Sequence, residues 1–158
     1  MLGFPRVINE KAARTVAAVV ALTGAIALAT GAHWLLIPLA YGFWARVLAG
    51  PRFSPLAQLA TKVVAPRLGP PRDVAGPPKR FAQGMGAAMT TLGVLALALG
   101  WTAVTTVLLA MLVVAATLEA AFALCLGCRL FGVLMRAGVI PETVCVECAD
   151  ISGRLQRA

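Results

Sequence analysis

The sequence predicts an all-α integral membrane protein with four transmembrane helices arranged as two hairpins. Three observations support this fold class. Hydrophobic residues make up 60% of the 158 residues and charged residues only 13%, the mean hydropathy is +0.88, and the apolar residues form long blocks. Soluble domains carry about 25% charged residues, so this composition excludes a soluble globular enzyme and a disordered chain. None of the blocks alternates apolar and polar residues, so the spans are helices rather than barrel strands.

The apolar blocks follow one another in two pairs. They comprise residues 15–30, 34–50, 81–99 and 101–128. Tight turns near Gly31 and Gly100 would close the two hairpins. A span needs roughly 20 apolar residues. The third and fourth blocks meet this length and the first is slightly short. The second is the weakest, because it contains Pro38 and Arg46; we expect Arg46 to extend to the interface.

A secretory signal peptide is the alternative interpretation of the first block. Ala27 and Ala29 have the small side chains that signal peptidase accepts. The second block follows after three residues, however, and needs a helix to pair with. We therefore interpret the first block as a retained span.

The positions of the charges predict the topology. The chain has 14 Lys and Arg against 6 Asp and Glu, a net charge of +8. The basic residues lie in the N-terminal arm, in the region 46–80 and after Cys128, and none lies in the two short turns. Cytoplasmic loops carry this excess. We expect a cytoplasmic arm (1–14), a transmembrane domain (15–128) with a cytoplasmic loop at about 50–80, and a cytoplasmic tail (129–158). Topology thus accounts for the charge without nucleic-acid binding.

The central loop is rich in proline, which favours extended backbone over regular helix. Before the prolines, residues 55–64 have apolar spacing typical of a short helix on the membrane surface. The loop is either a docking surface for a cytosolic partner or a basic linker between hairpins. Its charge is also suited to anionic lipid headgroups.

The cysteines are the most specific signal in the chain. All four lie in the last 34 residues as two CxxC pairs separated by 16 residues. They are Cys125, Cys128, Cys145 and Cys148. This spacing is typical of tetrathiolate zinc sites, which would serve structure or partner docking. Thiols facing the cytosol are usually reduced, so we do not expect a permanent disulfide.

Two other interpretations of the cysteines remain. In a thiol–disulfide or sulfur relay, Cys145 would be the nucleophile, because it follows a possible helix start at Pro141, and Cys148 the resolving thiol. The first pair would accept electrons or sulfur. Cys125 and Cys128 are expected to end a helix, where the dipole disfavours a thiolate. Alternatively, the cysteines are small hydrophobic residues at a helix end.

Glu119 is the only acidic residue inside a predicted span. It would be the coupling site of a proton or cation transporter, or else a hydrogen-bonding partner of Thr90, Thr91 or Tyr41. On a straight helix it points roughly opposite Cys128, so we expect no direct link to the cysteines. His33, the only histidine, is interpreted as an interfacial residue.

Several short segments resemble a family of bacterial membrane proteins grouped as domain of unknown function 4395. The matching pieces are NEKAAR (9–14), PRLGPP (66–71), RFAQ (80–83) with Gly86, and CLGC (125–128). The tail IPETVCVEC (140–148) resembles a branch of that family, since many members stop soon after the first cysteine pair. The resemblance implies a multi-pass protein of the bacterial inner membrane. It also implies thioredoxin-like or rhodanese-like partners.

We therefore expect a membrane protein, not an enzyme on its own, whose two cytosol-facing CxxC pairs form a zinc-like site. The alternative is a membrane thiol–disulfide or sulfur-relay component. Expected partners are the lipid bilayer, a cytosolic thiol or sulfur-carrier protein and a second copy of the chain in a homo-oligomer.

Overall fold

The structure, a computed structural model, describes residues 4–145 and Cys148. It is almost entirely helical, as predicted. The elements in chain order are β1 (Val7–Asn9), α1 (Glu10–Thr30), α2 (Leu36–Ala49), α3 (Pro55–Leu59), α4 (Ala65–Arg67), β2 (Asp73–Ala75), α5 (Gly76–Ala98), α6 (Thr102–Phe122) and α7 (Leu126–Arg136). Short 3₁₀ turns at His33–Leu35, Gly50–Arg52 and Glu142–Val144 and a π-helical turn at Ala60–Val64 complete them.

Three helices of the described chain are long and apolar enough to cross a membrane: α1, α5 and α6. The all-α membrane fold is therefore confirmed, whereas the four spans are not. Helix α2 has 14 residues and extends about 21 Å, shorter than a hydrocarbon core of about 30 Å. It ends because Gly50 has a φ of +61° and Pro51 follows directly.

The two predicted hairpins are not confirmed, because α1 and α2, which are neighbours in the chain, contact each other only slightly. Helix α1 packs chiefly against α6, α2 chiefly against α5, and α5 also against α6. Leu36 and Leu109 are almost fully buried in this core. Small residues allow the close approach: a Cβ on Gly86 would lie 2.2 Å from Phe43 Cε1. The bundle thus has the small-residue contacts typical of membrane helices.

The N-terminal arm and the proline-rich loop form a two-stranded antiparallel sheet, which the sequence analysis did not predict. Val7 pairs with Ala75 and Asn9 with Asp73. The amide of Gly76 donates to the carbonyl of Arg6 at 2.6 Å, and a Cβ on Gly76 would lie 2.1 Å from the Pro5 carbonyl oxygen. The extended backbone expected in the proline-rich loop is found over β2, and its pairing with the arm, which satisfies backbone polar groups, is the unexpected part.

The short helix predicted over 55–64 is confirmed in its first half. Helix α3 begins after Ser54, whose hydroxyl accepts a hydrogen bond from the amide of Ala57 at 3.3 Å, and Pro55 occupies the first helical turn. Both are favoured at these positions. The second half, Ala60–Val64, widens into a π-helical turn.

Candidate functional site

Helix α6 stops before the first cysteine pair. Ala123 has a left-handed φ of 55°, and α7 begins at Leu126. The prediction of one continuous segment to Cys128, with both cysteines at its end, is therefore wrong. A cation from another helix stabilises the break, since the Arg14 guanidinium donates to the Ala120 carbonyl at 2.9 and 3.0 Å and to the Ala121 carbonyl at 3.1 Å. It satisfies carbonyls that the helix end leaves without partners.

Cys125 begins a helix rather than ending one. It is the N-cap of α7, and its Sγ accepts a hydrogen bond from the amide of Cys128 at 3.3 Å. The Cys128 thiol also donates to the Cys125 Sγ, with the two sulfur atoms 2.6 Å apart. Negative charge is stabilised at a helix N-terminus, which is where reactive cysteines are found. Cys125 thus has the surroundings of a nucleophilic thiolate.

The two thiols of this pair have opposite acidities. The hydrogen bond from the Cys128 thiol lowers the pKa of Cys125, and the nearby Lys79 charge acts in the same direction against burial and Glu119. The same hydrogen bond raises the pKa of Cys128, and burial adds to the effect. The first proton therefore leaves from Cys125, while Cys128 keeps its proton.

A buried ion pair lies beside Cys125. The Lys79 ammonium, in the first turn of α5, hydrogen-bonds the Oε1 of Glu119 near the end of α6, and the side chains are 10% and 15% exposed. The partner of Glu119 is therefore Lys79, whereas Thr90 donates to backbone carbonyls of its own helix. Because α6 ends at Phe122, Glu119 and Cys125 line the same cavity, contrary to the expectation from a straight helix. A role of Glu119 in proton or cation transport stays a prediction.

The second cysteine pair is a disulfide between Cys145 and Cys148. Cys145 is fully buried. Cys148 lines a cavity of about 430 Å³ together with Cys125, Cys128 and Lys79. The fold thus brings Cys148 to the cavity that both cysteines of the first pair line, although 16 residues separate the two pairs in the sequence.

The predicted zinc site requires four thiolates, and the disulfide leaves two of the four sulfurs unable to serve as such ligands. Within residues 4–145 and 148, no group of three or more His, Cys, Asp or Glu residues could hold a metal ion. The tetrathiolate site is therefore not assembled in this oxidation state. Zinc binding by the reduced chain stays a prediction.

Arg46 is a feature of the site that sequence reasoning misplaced. It is 5% exposed instead of reaching the interface. Its Nε donates to the Gln83 Oε1 at 2.7 Å, its Nη1 lies 3.5 Å from the Ser54 hydroxyl, and its Cζ lies 4.6 Å from the centre of the Phe43 ring. Arg46 and Gln83 line a second cavity that extends to Cys125. Nothing in the residue pattern signals this burial, because an Arg near a helix end is ordinarily at the surface.

His33 lies at the opposite end of the bundle from the cysteines, in the turn before α2. It is partly exposed, and its Nε2 is 3.2 Å from the Thr106 hydroxyl. Trp34 and Trp101, on the same turns, are 62% and 60% exposed. Exposed positions of this kind suit interfacial anchors, and the interfacial role of His33 stays a prediction.

Comparison with known proteins identifies a family. The sequence profile of the family described as "Domain of unknown function (DUF4395)" matches residues 8–136. No curated protein and no solved structure matches. The matched segment contains the three long helices, the Lys79–Glu119 pair and the first cysteine pair, whereas Cys145 and Cys148 follow it. Since the match covers most of the chain, the protein belongs to the DUF4395 family.

Proposed function

We propose that this protein is a membrane dithiol–disulfide relay, in which the pair Cys145 and Cys148 passes electrons to the pair Cys125 and Cys128. One observation carries the proposal. The first pair, whose Cys125 caps a helix, lines a cavity. Cys148 of the disulfide lines the same cavity. Such an arrangement favours thiol–disulfide exchange, which requires a thiolate, an accessible disulfide and a good leaving group.

The exchange proceeds in two steps. The Cys148 thiolate attacks the Cys128 sulfur of an oxidised first pair, so that a Cys148–Cys128 bond forms and Cys125 leaves as a thiolate. The Cys145 thiolate then attacks Cys148, and Cys128 leaves and takes a proton. The second pair is oxidised by two electrons and the first pair is reduced by two.

The acidities of the first pair support this order. The thiol of lower pKa is the better leaving group, and hydrogen bonding to Cys128 lowers the pKa of Cys125. The product of the exchange is a Cys125 thiolate, a protonated Cys128 and a Cys145–Cys148 disulfide. In the structure the second pair is likewise a disulfide, and the first pair is a free pair joined by a hydrogen bond. The route differs from the sequence-based relay in one respect: Cys148, rather than the buried Cys145, contacts the first pair.

The proposal also places the relay in the cell. The three long apolar helices are typical of a membrane protein, and no Lys or Arg lies in the turns around Gly31 and Gly100. By the positive-inside rule, both termini and the cysteines face the cytosol across a bacterial inner membrane. The electron donor is then a cytosolic dithiol protein of the thioredoxin type. Its dithiol reduces the Cys145–Cys148 disulfide and becomes a disulfide itself.

Trapping the mixed disulfide tests the relay. In the full-length Cys125→Ser/Cys145→Ser variant, held in lipid nanodiscs, only Cys128 and Cys148 remain. After mild oxidation with diamide, trypsin cuts at Arg129 and Arg136 between them. Mass spectrometry is expected to find the two peptides joined.

The matched control is Cys128→Ser/Cys148→Ser, which retains Cys125 and Cys145. We expect little linkage here, because Cys145 is fully buried. Equal linkage in the two variants, or none in either, would show that the pairs do not exchange by this route.

A four-cysteine zinc site is the second candidate, because Cys148 shares a cavity with both members of the first pair. Once the disulfide is reduced, four thiolates become available in one region, and soft thiolates favour zinc. The metal content of protein purified without air, chelator or added metal decides between the candidates. Zinc bound at about one ion per chain, and lost in Cys145→Ser, would support the metal site and argue against a free relay.

A further inference from the structure

A cavity inside the bundle leads from Cys125 towards the lipid-facing surface. It has a volume of about 180 Å³ and is bounded by α1, α2, α5, α6 and the start of α7. Met111, which is 56% exposed, lines it. Met111 lies near the middle of α6, roughly 14 Å along the helix from Thr102. In a membrane the exposed Met111 side chain would therefore face hydrocarbon, so a ligand that enters the cavity past it must be soluble in lipid.

The cavity wall is mostly apolar, with polar groups near the cysteine. Arg46, Gln83 and Glu119 line it together with Cys125. The Gln83 side-chain oxygen accepts the hydrogen bond from Arg46, so the group that Gln83 can offer a ligand is its NH₂ donor. Arg46 adds a buried positive charge. Such a site suits an apolar body that carries hydrogen-bond acceptors and becomes more negative during reaction.

The volume limits the size of the ligand. A cavity of about 150 Å³ holds one benzene ring. The present cavity of about 180 Å³ therefore fits one six-membered ring with small substituents. A longer apolar tail would have to leave past Met111 into the lipid.

The geometry points to a lipid-soluble quinone as the acceptor that takes electrons from the pair Cys125 and Cys128. The quinone ring occupies the cavity, its carbonyl oxygens face Arg46 and Gln83, and its tail lies in the bilayer. This inference rests on the proposed relay and names the molecule at its membrane end. Cys125 lines this cavity as well as the one that contains Cys148, so it lies between donor and acceptor.

The two cysteines of the first pair supply the two electrons that the quinone takes up. The Cys125 thiolate adds to a ring carbon, and the displaced electron pair moves to a carbonyl oxygen, where Arg46 stabilises the charge. Cys128 loses its proton and attacks the Cys125 sulfur. The sulfur–carbon bond breaks, and its electron pair stays with the ring. Cys128 supplies one proton, and the water that took the proton of Cys125 when its thiolate formed supplies the second. The ring then leaves as hydroquinone, and the first pair becomes a disulfide.

The test uses the full-length Cys145→Ser/Cys148→Ser variant in nanodiscs, so that the first pair reacts alone. The variant is reduced, freed of reductant and mixed anaerobically with decylubiquinone. We expect one hydroquinone to form per chain, seen as a loss of quinone absorbance, while two thiols disappear from maleimide labelling. Diamide, a water-soluble oxidant, provides the control reaction that needs no cavity.

A cavity-filling substitution provides the second arm. Ala115 lines the cavity, and Ala115→Leu is expected to slow oxidation by decylubiquinone at least about tenfold, because overfilling a packed site is costly. Oxidation by diamide should not change. Ala110→Leu, on the same helix and outside the cavity lining, should leave both reactions at the parent rate.

Two results would overturn the inference. One is the absence of hydroquinone although diamide oxidises the pair. The other is an equal quinone rate in Ala115→Leu and in the parent. Neither result bears on the linkage between Cys128 and Cys148. The relay and its quinone acceptor are therefore tested independently.

Discussion

The Lys79 ammonium hydrogen-bonds the carboxylate of Glu119, joining the first turn of α5 to the last turn of α6 beside the Cys125 thiol. Both side chains are largely buried. Each buried charge therefore needs the other as its counter-ion. The pair also holds together the two helix ends beside which Cys125 lies.

Glu119→Gln should destabilise the protein, because it leaves the Lys79 charge buried without its counter-ion. Removing one member of a buried pair costs about 3–5 kcal/mol. The midpoint of thermal unfolding in detergent should fall clearly. In Lys79→Met/Glu119→Leu, where both charges are absent, most of the loss should be recovered. If the double variant is as unstable as Glu119→Gln, the pair does not act as one unit.

Alkylation of Cys125 should persist to lower pH than that of an ordinary thiol. The pKa of Cys125 is lowered, so its thiolate is present below the usual midpoint of about 8.5. Iodoacetamide rates measured against pH in the Cys145→Ser/Cys148→Ser background give the midpoint. Cys128→Ala should move the midpoint upwards, because it removes the hydrogen bond that contributes most. Lys79→Met should also move it upwards. If neither substitution moves the midpoint, the Cys128 hydrogen bond and the Lys79 charge are not the causes of the lowered pKa.

Gly86→Ala should destabilise the bundle, because its new Cβ would lie 2.2 Å from the Phe43 ring. Overpacking of this kind costs about 1–3 kcal/mol. Gly84→Ala, on the same helix, meets no atom within 4 Å and should be neutral or stabilising. Unfolding in denaturant compares the two, and Phe43→Leu should partly rescue Gly86→Ala. Equal effects of the two alanines would show that α2 and α5 are not in such close contact.

Arg14→Ala should weaken the end of α6, because the guanidinium caps the carbonyls of Ala120 and Ala121. Loss of a cap costs about 1 kcal/mol. Hydrogen exchange in the segment 119–128 should become faster, while exchange in the middle of α6 should change little. Arg136→Ala, an exposed Arg at the end of α7, serves as the control. Unchanged exchange in the segment would show that the cap does not hold it.

The sequence was sufficient for the features that depend on local composition. Long apolar blocks predicted α1, α5 and α6, and the apolar spacing of residues 55–64 predicted α3. It was not sufficient where distant residues decide the structure. The break at Ala123 lies within an apolar segment without glycine or proline at that point, and the cation that caps it comes from α1. Hydropathy alone therefore extends the span to Cys128.

The same reason explains the partial prediction of the site. The CxxC spacing identified all four cysteines, and the lone acid in an apolar segment identified Glu119. Lys79 stands between Pro78 and Arg80, where it resembles any basic residue of a loop. Only the packing of α5 against α6 makes it the partner of Glu119. Similarly, Arg46 becomes part of a cavity only after α2 packs on α5.

The contact between Arg14 and Ala120 spans 106 residues, and this separation has a consequence for biosynthesis. The ribosome makes α1 long before α6, so the carbonyls of Ala120 and Ala121 can be capped only when the two helices dock. Before docking, nothing from α1 holds the turn that places Cys125 at the start of α7. The cysteine would then acquire its enhanced nucleophilicity late in assembly. Nascent chains would thereby be protected from premature oxidation and from cross-linking to one another.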